Sequence, residues 1–251
     1  MARDRRYKGE IISCYEMQDR IVSQGQTRLM VDVKSRIPTL DKHVQGFQDG
    51  ELIVISGPTK NGKTLLAQTL TRNFAKQQVY SLWFSFEVPA RQFLSSFDQD
   101  DMPLFYLPDE LEVNNIEWVE AKIMESFELY RTRVVFIDHL HYLFDMFQTK
   151  NPSLTIGTLV RRLKSLAVRR HFVIFLLCHT TKGSSEGDTL SYESIRDSSL
   201  ISQESDSVFM IRRVDTVNTV LRVEFHRRTG ILRENVPLIK VGKYLEERRD
   251  V

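Results

Sequence analysis

Eight consecutive residues, Gly57-Pro58-Thr59-Lys60-Asn61-Gly62-Lys63-Thr64, have the spacing G-x-x-x-x-G-K-[ST] of a phosphate-binding loop. The chemistry needs those residue types. Gly57 and Gly62 let the backbone curl so that successive N–H groups face phosphate oxygens at a helix N-terminus. Lys63 brings a point charge to the β- and γ-phosphates of a nucleotide such as ATP, and the Thr64 hydroxyl is suited to ligate Mg²⁺. A glycine-rich turn with an exposed lysine would share the composition but lack the context, an apolar run before the motif and a helical pattern after it.

Such a loop needs a carboxylate to hold the metal, and Val134-Val-Phe-Ile-Asp138 supplies one, an acid emerging from an apolar run. Glu87 ends another apolar run just before a helix led by Pro89. It could orient and deprotonate the water that attacks the γ-phosphate, or merely favour a helix start. His179 follows Phe172–Cys178 and could sense the γ-phosphate or be an ordinary loop hydrogen-bonder. His139 and His141 have the i, i+2 spacing of a metal pair but no third ligand in the sequence, so they read as loop or core histidines.

The elements that must position these groups are legible as a pattern. Apolar runs at Glu51–Ser56, Val79–Phe86, Arg133–Asp138, Phe172–Cys178, Ser207–Ile211, Val220–Phe225 and Val236–Val241 suit strands buried on both faces of a mainly parallel sheet. Thr64–Gln78 and Thr155–Arg170 carry apolar residues at helical spacing, and Glu10–Gln24 reads as an amphipathic helix. The expectation is an α/β, doubly wound, mainly parallel sheet with a β-rich C-terminal portion. It would span residues 36–251 behind a linker or helix arm at 1–35.

With 251 residues, 41% hydrophobic and 27% charged, the chain can bury a substantial core, and long disorder is excluded. The net charge of +2 is too balanced to announce a nucleic-acid partner. Asp98–Glu128 nevertheless holds ten acidic residues against Lys122 alone, and Arg161–Arg170 holds five basic ones. These are solvated helix faces, or patches for self-association or a polyanion. No run reaches a membrane span, and two distant cysteines exclude a disulfide framework, so a cytosolic setting is expected.

Several segments together resemble the RecA-fold ATPase domain of DnaB-like replicative helicases, with some features closer to phage and mitochondrial ring helicases. They are Arg36-Ile-Pro-Thr-Leu-Asp41 with Gly46-Phe47 and Gly50-Glu51-Leu52, Phe84-Ser-Phe-Glu87-Val, Phe136-Ile-Asp138-His-Leu, Cys178-His179, Ser194–Ser198 with Gln203–Asp206, and His226-Arg227-Arg228-Thr-Gly230. The resemblance implies a RecA-like P-loop NTPase using ATP and Mg²⁺, with Glu87 activating water and Asp138 beside the metal. His179 would couple γ-phosphate state to a DNA-facing loop. Arg227 would be an arginine finger delivered to a neighbour's ATP, with Arg228 as the one-residue alternative. It further implies a hexameric ring on single-stranded DNA, in a bacterium or as a phage or plasmid protein, with a primase or other replisome protein as a possible partner. The channel loops would be Phe147–Thr155 and Lys182–Ser191, so that Lys150, Lys182 and Arg196 meet DNA.

Three departures stand out. Glu87 and Asp138 are only 51 positions apart, the lysine that assists the finger in many relatives falls on Phe225, and no primase-binding segment precedes the motor. The last leaves a small single-domain helicase and an excised motor domain both open. A RecA-, RadA- or KaiC-like ATPase and an ATP-switched loader that never unwinds DNA are the competing readings.

Overall fold

The structure is a computed structural model that describes residues 12–25, 31–144, 151–180 and 198–248. The chain divides into two units, residues 1–30 and 31–251. Helix α1 (Cys14–Gly25) is the described part of the first. It opens on a reciprocal cap in which Glu16 N–H donates to Ser13 Oγ (3.1 Å) and Ser13 N–H donates to the Glu16 carboxylate (3.0 Å).

In the second unit a two-stranded ribbon, β1 (Asp32–Val33) with β2 (Phe47–Gln48), flanks α2 (Pro38–Val44). The main sheet follows. In chain order its parallel part is β3 (Leu52–Gly57), β4 (Ser81–Ser85), β5 (Val134–Asp138), β6 (Val173–His179) and β7 (Ser207–Arg213). An antiparallel extension adds β8 (Asn218–His226), β9 (Ile231–Val241) and β10 (Tyr244–Glu247). Their spatial order is β10-β9-β8-β7-β3-β6-β5-β4. The connecting helices are α3 (Lys63–Ala75), α4 (Ala90–Ser95), α5 (Ile116–Tyr130), α6 (Pro152–Arg170) and α7 (Ser198–Glu204). Among the described residues, no helix is long and apolar enough to cross a membrane.

Both faces of the parallel strands are buried, which is why they read as unbroken apolar runs. Ile53, Ile55, Trp83, Phe136 and Phe175 enter one core with α2 and α3, while Leu52, Val54, Phe84, Ile137 and Ile174 enter the other with α5 and α6. Because Trp83, Phe136 and Phe175 stand in register on adjacent strands, their rings form a row, with successive centroids 4.7 Å apart. Trp83 Nε1 donates to Thr71 Oγ1 at 2.9 Å and ties that row to α3. Val31 and Val33, which precede the expected boundary at Arg36, lie in the first core.

The sequence reading missed β1, β2, α2, α5, α7 and β10 and saw only the second half of β9. Helix α5 carries a regular apolar series, Ile116, Val119, Ile123 and Phe127, with Trp118 and Met124 also against the core. The series stands behind the Asn115 cap, where Asn115 Oδ1 accepts from Trp118 N–H; the sequence reading took only the helix's charge. The two charge patches meet through Arg162, and other members of the basic one pair with acids outside the acidic patch. Arg162 pairs with Glu117 and Glu120, Arg161 with Glu204, and Lys164 with Asp206. The last pair is part of the scaffold, because Lys164 also donates to the Gly50 carbonyl and Asp206 accepts from Leu52 N–H.

Candidate functional site

The phosphate loop joins the carboxyl end of β3 to the start of α3. Gly57 has φ 151°, and a Cβ there would lie 2.2 Å from the Ile211 carbonyl oxygen of β7, so no larger residue fits. Gly62 has φ 99° and sits at the helix N-cap in the left-handed region. Asn61 fixes the loop on two sides, donating to the Thr59 carbonyl (3.0 Å) and accepting from Arg213 N–H (2.9 Å). Lys63 Nζ donates to the carbonyls of Gly57 (2.9 Å) and Pro58 (3.0 Å), so its charge is held inside the loop. Burial lowers the Lys63 pKa from its ordinary value, against the opposing pull of Asp138 and Glu87.

Asp138 ends β5, one strand away from β3, with β6 between them. Its Oδ2 accepts from Thr64 Oγ1 at 2.7 Å. The hydroxyl and carboxylate expected from the sequence to share a metal are therefore adjacent, and they form an all-oxygen donor pair that suits Mg²⁺. Burial pushes the Asp138 carboxyl up to about 6; the Thr64 hydrogen bond and Lys63 pull it down, and Glu87 adds to the rise. In the folded state this carboxyl holds its proton more tightly than in the unfolded chain. The stabilisation this gives is complete below the unfolded value of 3.8 and is lost as the pH rises through about 6. At pH 8 without metal the buried charge costs about 3 kcal/mol for a shift of roughly two pKa units. Asp138→Asn should therefore raise the melting temperature of chelator-treated protein by roughly 5 °C or more at pH 8, and by little at pH 4. Equal shifts at the two pH values would contradict this account.

Glu87 lies two residues beyond β4 with its side chain 39% exposed, and Oε2 is 3.7 Å from His139 Nδ1 and 3.9 Å from His179 Nε2. His179 is opposite Gly57 in the β3–β6 register, so the end of β6 touches both the phosphate loop and Glu87. The rings of His139 and His179 meet edge to face with centroids 4.4 Å apart. Burial pushes His139 down to about 3, helped by the other two histidines, and His179 down to about 4, helped by Lys63. Both are neutral at pH 7. His139 is a largely buried histidine just beyond β5, in line with the loop-or-core reading, and the fold sets Glu87 and His179 beside it. Burial raises the Cys178 thiol to about 12, which leaves it inert.

A cavity of about 430 Å³ opens over these groups. It is lined by Thr59–Thr64, Glu87, Asp138 and His179, and also by Arg213, Thr216, Thr219 and Lys240. The last four were missed. They belong to the β-rich C-terminal portion and carry no local motif; only the tertiary fold brings them over the loop. Arg227 is elsewhere. Strand β8 runs antiparallel to β7, so its end, where His226 faces Ser207, lies at the sheet edge opposite the phosphate loop. Arg227 is exposed, and its guanidinium donates to the Gln203 carbonyl. Arg228 instead pairs with Glu51 (2.9 Å) and donates to the carbonyls of Val44 and Gly46. Lys150, Lys182 and Arg196 lie outside the described residues, as do most of the expected channel loops.

The chain resembles known proteins in sequence and in fold. A family model described as "AAA domain" matches residues 22–185. The replicative DNA helicase DnaB of Haemophilus influenzae is 26% identical, the alignment covering 71% of this chain and 46% of that protein. The chain thus spans about half the length of the curated relative it matches. Among solved structures, one described as an ATPase domain superposes with a TM-score of 0.80 at 15% identity, covering 96% of this chain and all of that one. A DnaB-like replicative helicase, described with its interactions with primase, gives 0.79 at 15% identity over 95% of this chain and 69% of that one. The α/β, RecA-like fold expected from the motifs is the fold observed, and the resemblance to DnaB-like helicases holds in both sequence and architecture.

Proposed function

The chain belongs to the AAA domain family, and on that premise we propose that it is the ATP-hydrolysing motor of a ring-forming DnaB-like helicase that moves on single-stranded DNA. The observation that supports the reading is that the residues proposed for catalysis lie at two edges of one sheet. Lys63, Thr64, Asp138 and Glu87 converge at one edge, and Arg227 lies at the other. A cation for the γ-phosphate that cannot reach its own site needs a neighbour's site, and a closed ring supplies one for every subunit.

In this mechanism the loop N–H groups and Lys63 hold the β- and γ-phosphates, with Thr64 and Asp138 as the residues that would hold Mg²⁺. When bound, Mg²⁺ neutralises charge developing on the phosphoryl oxygens. Glu87 orients water and takes its proton. His179, touching both Glu87 and the strand beside Gly57, passes the state of the γ-phosphate into the chain that follows β6. Lys150, Lys182 and Arg196 are the proposed contacts to DNA phosphates. A hexamer in the cytoplasm of a bacterium, encoded there or by a phage or plasmid, with a primase or another replisome protein as partner, completes the reading.

Three measurements on the full chain test it: negative-stain imaging with nucleotide and single-stranded DNA, strand displacement on a fork, and ATP turnover with and without DNA. Rings, displacement and DNA-stimulated turnover are expected. Filaments with strand exchange would indicate a recombinase, and ATP-dependent assembly without displacement a loader. His179→Ala should abolish most of the DNA stimulation while sparing more of the basal rate, whereas equal loss of both would remove the coupling role. Single-stranded DNA binding should fall steeply between 50 and 200 mM salt, by about 10²-fold or more for six or so phosphate contacts.

A further inference from the structure

The mechanism above uses Glu87 and His179 but assigns nothing to His139, although His139 completes a compact set of three ligand atoms. One atom each from Glu87, His139 and His179 lies within 4.8 Å of the other two. Tetrahedral zinc with bonds near 2.0–2.1 Å separates its ligands by about 3.3 Å. The observed Glu87–His139 and Glu87–His179 separations of 3.7 and 3.9 Å are thus a few tenths of an ångström too wide. Bringing all three onto one ion, including the two histidines, whose ligand atoms lie within 4.8 Å of each other, takes side-chain rotation, and Glu87 is the most exposed of the three. His139 Nδ1 is buried and without a hydrogen-bond partner among the described residues, so a metal would satisfy an atom that they leave unsatisfied.

We propose that Glu87, His139 and His179 form a transition-metal site, separate from the Mg²⁺ ligands Thr64 and Asp138, at which Zn²⁺ arrests ATP hydrolysis. Two imidazoles and one carboxylate are a borderline-soft donor set that prefers Zn²⁺ or Co²⁺ over Mg²⁺, whereas a hydroxyl with a carboxylate has the opposite preference. The carboxylate that ligates zinc no longer takes a proton from water. Nucleotide binding, which depends on the loop, is not blocked. The inhibitory half of this inference rests on Glu87 being the base, while the metal site itself does not.

The test uses the full chain without nucleotide, titrated with ZnCl₂ by calorimetry and with CoCl₂ by visible absorption. One equivalent should bind, and Co²⁺ should give the intense bands of a four-coordinate nitrogen–oxygen site rather than the weak bands of six oxygens. At saturating Mg²⁺, one equivalent of Zn²⁺ should lower ATP turnover by about 10²-fold, the scale of general-base catalysis. A chelator should restore the rate, and a tenfold excess of Mg²⁺ should not. His139→Gln should weaken zinc binding by about 10²-fold or more and, measured against its own zinc-free rate, should resist inhibition. Cys14→Ser removes the exposed thiol as a competing ligand and should behave as the parent does.

Weak six-coordinate bands, rescue by Mg²⁺, or undiminished inhibition of His139→Gln would overturn the proposal. The cobalt spectrum of the parent decides the matter even if His139→Gln fails to fold. Zinc bound with turnover intact removes the inhibitory role. If zinc binds but Glu87→Gln still hydrolyses ATP normally, the assignment of the base fails and the metal site stands.

Discussion

Arg227→Ala is expected to lower ATP turnover of the assembled protein by about 10³-fold or more, the scale of an arginine finger supplied in trans. The reason is topological. The phosphate loop leaves the carboxyl end of β3, and β7 beside it is parallel. Strand β8 returns antiparallel, which carries Arg227 to the amino edge, where its N–H donates to the Asp206 carbonyl and Asp206 in turn donates to Leu52. The six residues of β3 separate those edges by about 17 Å, more than an arginine side chain spans. Arg228 is engaged with Glu51 and two carbonyls, so Arg228→Ala should cost stability and leave the turnover of folded protein far less affected. Lys63→Ala should be nearly inactive as well. Mixed after subunit exchange, Arg227→Ala and Lys63→Ala should regain part of the activity, because some interfaces then pair an intact Lys63 with a neighbour's intact Arg227. No recovery despite demonstrated exchange, or full turnover by dilute monomer, would rule out a shared site.

The second large effect is that of Glu87→Gln, which should lower turnover by about 10²-fold or more while nucleotide affinity stays near that of the parent. Glutamine keeps the size and one acceptor oxygen but cannot take the proton. Binding should survive because phosphate contacts come from the loop and Lys63, which Glu87 touches only through its field. Equilibrium nucleotide binding and single-turnover hydrolysis, measured on one preparation, separate the two quantities. Unchanged turnover would return Glu87 to the ordinary role of an acid at a helix start.

The glycine-rich loop, the acid that ends β5 and the strands carrying them were legible in the sequence because each is a local requirement. Gly57 is demanded by a close backbone approach, Gly62 by a left-handed turn, and strands buried on both faces must be apolar along their whole length. Helix α5 had a legible apolar series that was passed over for the charge of its other face, whereas β10 escaped because four residues carry no period.

What only the tertiary structure decided is which distant groups share a space. The order β7-β3-β6-β5-β4 inserts β6 between the loop strand and the Asp138 strand, and so delivers His179 to Gly57, Glu87 and His139 at once. The antiparallel return of β8 sends Arg227 away from its own loop, while the β7–β8 connection and β9 bring Thr216 and Lys240 towards it. That Arg228 is tied to Glu51 and to the carbonyls of Val44 and Gly46, about 180 residues earlier in the chain, also follows from the tertiary fold alone. Spacing within a motif reports the backbone's local needs, whereas contacts between strand ends depend on strand order and direction, which are set by packing the whole core.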